Sequence, residues 1–125
     1  ARNIGSARPQ DYADALAWGV TFFTARDIAS GGMAQVADAI ANGSNVIICF
    51  DCDGLDPAIM PGVIGRAPGG LGYWQTIELL NAISAKARIS AFDLVEFMPD
   101  CDVDGLGALT AYRMVAATLG LVCRQ

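Results

Sequence analysis

The chain has 125 residues, 54% hydrophobic and 17% charged, which is room for one domain and too apolar for a disordered tail or linker. Lys and Arg number 8 against 13 Asp and Glu, a net charge of −5 with no basic run, so nucleic-acid binding through phosphate contacts is excluded. The longest uncharged apolar stretch, near 45–50, is far shorter than the roughly 20 residues of a bilayer span, and no membrane role is expected.

The first residues, Ala1-Arg2-Asn3-Ile4-Gly5, read as the end of a strand. Pro9 suits the first turn of a helix over 10–18, which Gly19 closes. Val20-Thr21-Phe22-Phe23-Thr24 is β-branched and aromatic and reads as a strand. Ser30-Gly31-Gly32 is a break. Met33, Val36, Ala37 and Ile40 then mark one face of a helix over 33–42, closed by Asn42-Gly43-Ser44. Val46-Ile47-Ile48-Cys49-Phe50 is an unbroken apolar run, as in a central parallel strand. A Gly/Pro-rich segment over 54–72 follows, long enough to suggest a functional loop. A helix over 73–86, a strand over 89–95, a loop over 97–105 and an apolar helix over 107–122 complete the chain. Trp18 and Trp74 read as core or interface residues.

Strand and helix thus alternate four times across a single unit, residues 1–125, without a hairpin signal. That order argues for an α/β fold with a parallel sheet and helices on both faces. Ligand sites in such sheets lie beyond the carboxyl ends of the strands. Two strands deliver acids there: Asp51 and Asp53 after one, Glu96 after the other.

Histidine is absent, so the chain by itself builds no Ser-His-Asp, Cys-His or His-ligated zinc site. Cys49 and Cys52 form a C-x-x-C, but inside a strand and not at the helix N-terminus that stabilises a redox thiolate. With Cys101 and Cys123 they read as buried, reduced thiols of a cytoplasmic protein.

In an extended segment, D-x-D sets both carboxylates on one side. Such a pair repels unless a proton or cation intervenes, and oxygen donors suit Mg²⁺ or Mn²⁺. The alternative is a turn in which Asp51 caps nearby amides. Glu96 could face the same mouth: alone it reads as a solvated loop acid, and beside a metal pair it could hold a cationic substrate group. Asp100-x-Asp102-x-Asp104-Gly105 imitates the start of a calcium loop, but Ala111 occupies the twelfth position; Asp102 and Asp104 read as turn formers or a cap for the last helix. The five glycines of 62–72 do not form G-x-x-x-x-G-K, so a phosphate cradle is poorly supported. Asp93, inside an apolar strand, requires a hydrogen-bonding partner if buried.

Phe50-Asp51-Cys52-Asp53-Gly54-Leu55-Asp56-Pro57, then Pro61-Gly62 and Pro68-Gly69-Gly70-Leu71, resembles the ureohydrolase signature S-F-D-x-D-G-L-D-P…P-G…G-G-L of the arginase/agmatinase superfamily. Phe92-Asp93-Leu94-Val95-Glu96-Phe97-Met98-Pro99, with Asp102, Gly105 and residues 108–113, is similar to that superfamily's F-D-L-V-E-V-N-P…D…G…A-L-x-A-x-R. The resemblance implies a three-layer, mainly parallel α/β fold and hydrolysis of a small guanidino substrate to urea and an amine. It also implies a centre of two Mn²⁺ ions that activates water. By position, Asp51 and Asp53 would be metal ligands and Glu96 would pair with the substrate guanidinium. A homo-oligomer, trimer or hexamer, is implied as well.

The same resemblance places the remaining ligands, a His and a D-x-H-x-D segment, upstream of Ala1. The chain is therefore expected to be the C-terminal part of such an enzyme, inactive alone. The superfamily's G-T-G-T-P-E stretch reads Gly62-Val63-Ile64-Gly65-Arg66-Ala67 here, and Met98 replaces its usual Asn. Both changes lie near the expected substrate mouth and leave specificity open. Arg66 could meet a substrate carboxylate or be an exposed loop residue. Two other readings compete: a HAD-type phosphatase with Asp51 as nucleophile and Asp53 as acid/base, or a non-catalytic, self-associating fragment. The phosphatase motif continues D-G-T where Leu55 stands here, and it needs a downstream Lys, for which only Lys86 is present.

Overall fold

A computed structural model describes residues 8–125, and the expected strand end at 1–5 lies outside them. Helix α1 (Pro9–Ala17) begins with proline in its first turn, where the missing N–H costs nothing. The Arg8–Asp11 ion pair braces that turn at 2.8 Å.

Residues 20–24 are not a strand. The Val20 amide turns back to the Ala15 carbonyl, and Phe22 stacks on Tyr12 with ring centroids 4.8 Å apart. Thr24 forms a reciprocal capping box with Asp27 that starts α2 (Ala25–Asp27). Local capping and aromatic packing override the β-propensity of the run. Trp18 is 90% exposed and Trp74 72% exposed, so neither belongs to the core of this chain.

The break at Ser30-Gly31-Gly32 appears as a kink between two helical stretches, where Gly31 at φ 94° leaves the helical conformation. Helix α3 (Met33–Asp38) follows and is shorter than its apolar spacing suggests. Gly43, at φ 73°, donates its amide to the Lys86 carbonyl, which joins this turn to the end of the next long helix.

Strand β1 (Asn45–Asp51), helix α4 (Tyr73–Lys86), strand β2 (Arg88–Val95) and helix α5 (Leu106–Val122) form the centre of the fold. The two strands pair in parallel. The parallel α/β architecture is therefore present, with two strands among the described residues where the sequence suggested three. A bulge between Val46 and Ile47 leaves Ser90 without a register partner on β1. The extra residue resets the alternation of β2, so that Ile89 and then Phe92 both reach the helical side.

That side is a core of Ile89, Leu80, Met114 and Leu121, with Val46, Ile48 and Phe92 against it. Both long helices thus cover one face of the strand pair. On the opposite face Ile47 is 75% exposed. A second core lies under the long connection after β1, where Cys52, Leu55, Met60, Val63 and Ala111 are buried together. Met60 and Cys52 are fully buried, so the Gly/Pro-rich loop is a packed unit. Among the described residues, no helix is long and apolar enough to cross a membrane.

Candidate functional site

The register decides which residues share the carboxyl edge. Asp51, the last residue of β1, lies opposite Val95, the last of β2. Glu96 therefore starts one residue beyond the same edge, on a strand spaced about 4.8 Å from its neighbour. Asp51, Asp53 and Glu96 all arrive at this mouth.

Their local geometry departs from an extended D-x-D. Cys52–Gly54 is a short 3₁₀ turn, capped by the Asp51 carboxylate, which accepts the Asp53 amide at 3.1 Å. The turn breaks the alternation, and the two acids differ sharply: Asp51 is exposed while Asp53 is 7% exposed. Capping by Asp51 is thus real and coexists with its place at the mouth. Glu96 is exposed and holds φ 60°, a left-handed conformation that few non-glycine residues adopt and that tends to mark functional positions.

Cys52 between the two acids is inert. Burial, and then the negative charge of Asp51, push its thiol up to about 11. It stays protonated at neutral pH, which removes the redox reading of C-x-x-C. All four cysteines are free, but only Cys52 is buried; Cys49 and Cys123 are exposed, contrary to the expectation of four buried thiols. Asp93 is exposed too, 3.9 Å from the Cys49 sulfur across the strand pair.

Much of the motif pattern builds the walls of the mouth. The Asp56 carboxylate accepts the amides of Ala58 and Gly69, each at 2.9 Å, tying the two ends of the long loop together. These bonds hold its carboxyl below the usual range. Gly70 passes so close to Leu55 that a Cβ there would lie 2.4 Å from the Leu55 carbonyl carbon. Asp102 accepts the amides of Val103, Gly107 and Ala108 at 2.8–2.9 Å, satisfying the free N–H groups at the start of α5. Asp102 therefore serves as a helix cap, not a calcium ligand. The Thr110 hydroxyl, 2.7 Å from the Ile59 carbonyl, anchors the loop to α5. The Asp102 cap is the one the sequence offered for the last helix; the roles of Asp56, Gly70 and Thr110 were missed there, although Asp56-Pro57 is a turn signal in its own right.

Arg66 binds backbone. Its Nε donates to the Pro61 carbonyl at 2.8 Å and its terminal nitrogen to the Cys101 carbonyl, so it is the exposed loop residue of the two readings, with its guanidinium tied to backbone. Lys86 pairs with Asp38 at 3.1 Å, beside Gly43 at the amino end of β1. That end and Asp51 are the two ends of the seven-residue strand, about 20 Å apart at strand rise. The phosphatase arrangement, which needs Lys beside the aspartates, is not formed.

As metal donors, Asp51 and Asp53 supply hard oxygen atoms of the kind that Mn²⁺ accepts. Among the described residues no three His, Cys, Asp or Glu side chains group closely enough to hold an ion. The donor set suits the metal in kind and is partial in number.

A sequence model of the arginase family matches residues 2–120. The N(1)-aminopropylagmatine ureohydrolase of Thermus thermophilus is 35% identical over 103 residues, covering 82% of this chain and 34% of that protein. The guanidinobutyrase of Pseudomonas aeruginosa is 36% identical over 96 residues, covering 74% and 30%. Among solved structures, the proclavaminate amidino hydrolase of Streptomyces clavuligerus superposes with a TM-score of 0.82 at 29% identity, over 97% of this chain and 40% of that one. The chain spans about a third of the length of the curated relatives it matches.

Proposed function

The chain belongs to the arginase family, and from that premise we propose that it forms the carboxyl-edge half of a metal-dependent ureohydrolase site acting on a linear guanidino compound. The observation that carries this reading is the register: Asp51 ends β1 opposite Val95, so the D-x-D pair and Glu96 converge on one edge of the sheet. The relatives named for aminopropylagmatine and guanidinobutyrate hydrolysis support the substrate class.

In this reading Asp51 and Asp53 hold manganese. When bound, the metal supplies Lewis acidity and water activation at neutral pH. The contribution of Glu96 is separate. Its carboxylate accepts two N–H groups of the guanidinium, a planar, bidentate pairing that fixes the orientation of the reacting carbon. Cleavage of the C–N bond by water then gives urea and an amine. With no histidine in the sequence, further donors come from outside these 125 residues, and the segment alone is inactive. Self-association belongs to the same proposal, supported by apolar surface on α5, where Tyr112 is 69% and Leu119 58% exposed.

The test is Asp53→Ala in the complete protein, with urea release and manganese content measured together. Both are expected to fall to background. Normal turnover with full metal content would sink the metal assignment.

A further inference from the structure

The loop after β1 and the loop after β2 are fastened to each other at three points. The Met98 amide donates to the Gly62 carbonyl at 2.8 Å. Gly62 lies against the Phe97 ring and Asp102, so closely that a Cβ there would come within 2.6 Å of the ring. Arg66 closes the third point, with one guanidinium nitrogen on Pro61 and another on Cys101. Its charge also faces Asp102.

Pro61, next to Gly62, and Cys101, three residues beyond Met98, lie on the two loops joined by the Gly62–Met98 hydrogen bond, so the guanidinium of Arg66 spans the clasp as a rigid fork. Arginine suits this task because its donors are fixed in one plane; lysine offers a single ammonium centre on a flexible stem. Two residues before Met98 stands Glu96, in its left-handed conformation. A non-glycine residue keeps such a conformation only where its surroundings enforce it. On the far side of Glu96, β2 supplies that restraint through the pairing of Val95 with Asp51. On the near side the clasp supplies it.

We infer that Arg66 is a positioning residue for substrate binding, acting through the Pro61 and Cys101 carbonyls to hold the backbone that presents Glu96 at the mouth. The inference rests on the reading of Glu96 as the guanidinium-binding carboxylate. Arg66 itself touches neither substrate nor metal.

The test uses Arg66→Met and Arg66→Lys in the complete protein, with Glu96→Gln for comparison. Steady-state kinetics with a guanidino substrate, manganese content and hydrogen exchange of the peptide containing residues 97–102 are measured together. A misplacement of about 1 Å at a reacting centre can cost roughly a hundredfold, and a loosened binding carboxylate is expected to cost part of that. Arg66→Met should raise KM about tenfold, leave kcat within about threefold and retain manganese, while the 97–102 peptide exchanges faster. Arg66→Lys should fall between Arg66→Met and the parent. A merely structural role would instead reduce the active fraction, lowering kcat at constant KM, and that result overturns the inference. Unchanged KM and unchanged exchange overturn it equally while leaving the ureohydrolase reading intact. If the parent protein releases no urea from any guanidino compound, the ureohydrolase reading fails, and with it the role in substrate binding.

Discussion

Asp51 and Val95 face each other as the last paired residues of two parallel strands, and this one relationship sets the chemistry of the mouth. It brings the end of β1, with its capped turn and two aspartates, level with the residue before Glu96. A one-residue slip in a strand pair exchanges its faces. The bulge at Val46/Ile47 is therefore part of the site, since it sets the phase in which the paired ends arrive.

Glu96 should separate function from stability. In the complete protein, Glu96→Gln keeps the shape and loses the charge. A hydrogen bond to a charged group contributes about 1.5–3 kcal/mol, so KM for a guanidino substrate should rise by roughly 10- to 100-fold with manganese retained. Glu96→Gly should bind substrate no better, yet it relieves the left-handed strain at φ 60°. Its melting temperature should rise, because relief of about 1–3 kcal/mol of backbone strain outweighs the roughly 0.5–1 kcal/mol that glycine's extra unfolded-state freedom costs. A fall in stability for Glu96→Gly would show that the side chain, and not the backbone, carries the structural role.

Gly70 tests whether the motif is architecture or chemistry. A Cβ at this position would lie 2.4–2.6 Å from Leu55 and Asp56 backbone atoms, which no side-chain rotation can relieve. Gly70→Ala should therefore destabilise the folded protein by about 1–3 kcal/mol or more, read by chemical denaturation. Gly54→Ala is the control, because nothing lies within 4 Å of the Cβ it would carry. Equal effects of the two substitutions would contradict the close approach.

The elements read correctly from sequence are those with a strong local period or a clear stop. Helix α4 matches its expected span, and β1, β2 and α5 differ by a residue or so at their ends. The strand expected at 20–24 failed because Thr24 and Asp27 cap a helix start, a bond pattern stronger than the β-propensity around it. The site residues were legible as types at an edge. Their states were not: the 3₁₀ turn at Cys52–Gly54 and the left-handed Glu96 arise from contacts between distant loops. Arg66 was ambiguous for the same reason, since its acceptors are backbone carbonyls 5 and 35 residues away in sequence.

Asp102 gives the fold an acid-sensitive latch. Burial works to raise its carboxyl, but the amides of Ala108, Gly107 and Val103, together with the Arg66 charge, bring it below the ordinary value. A depressed folded-state pKa means stability that is present above the unfolded value, near 4, and is lost as pH falls through the folded one. Asp102→Asn should therefore be destabilised relative to the parent at pH 6. The difference should shrink as pH falls below about 4, where the parent carboxylate also takes up a proton. Thermal melts from pH 6 to pH 2 decide this; a gap between the two proteins that stays constant across that range would show that the charge of Asp102 contributes nothing.

Cysteine labelling gives a further check on the turn that holds Asp51 and Asp53. Cys52 is fully buried and its thiol is pushed up to about 11, so two independent barriers, access and ionisation, oppose alkylation. At pH 8, iodoacetamide should modify the exposed Cys123 in the folded protein and leave Cys52 intact until denaturant is added, as mass spectrometry of the separated peptides will show. Because Cys52 packs with Leu55 and Met60 under the loop, its labelling in the native state would mean that this core opens. The same labelling applied to Met60→Ala should expose Cys52 faster, since removing a fully buried methionine costs about 2–5 kcal/mol and weakens the loop that shields the thiol.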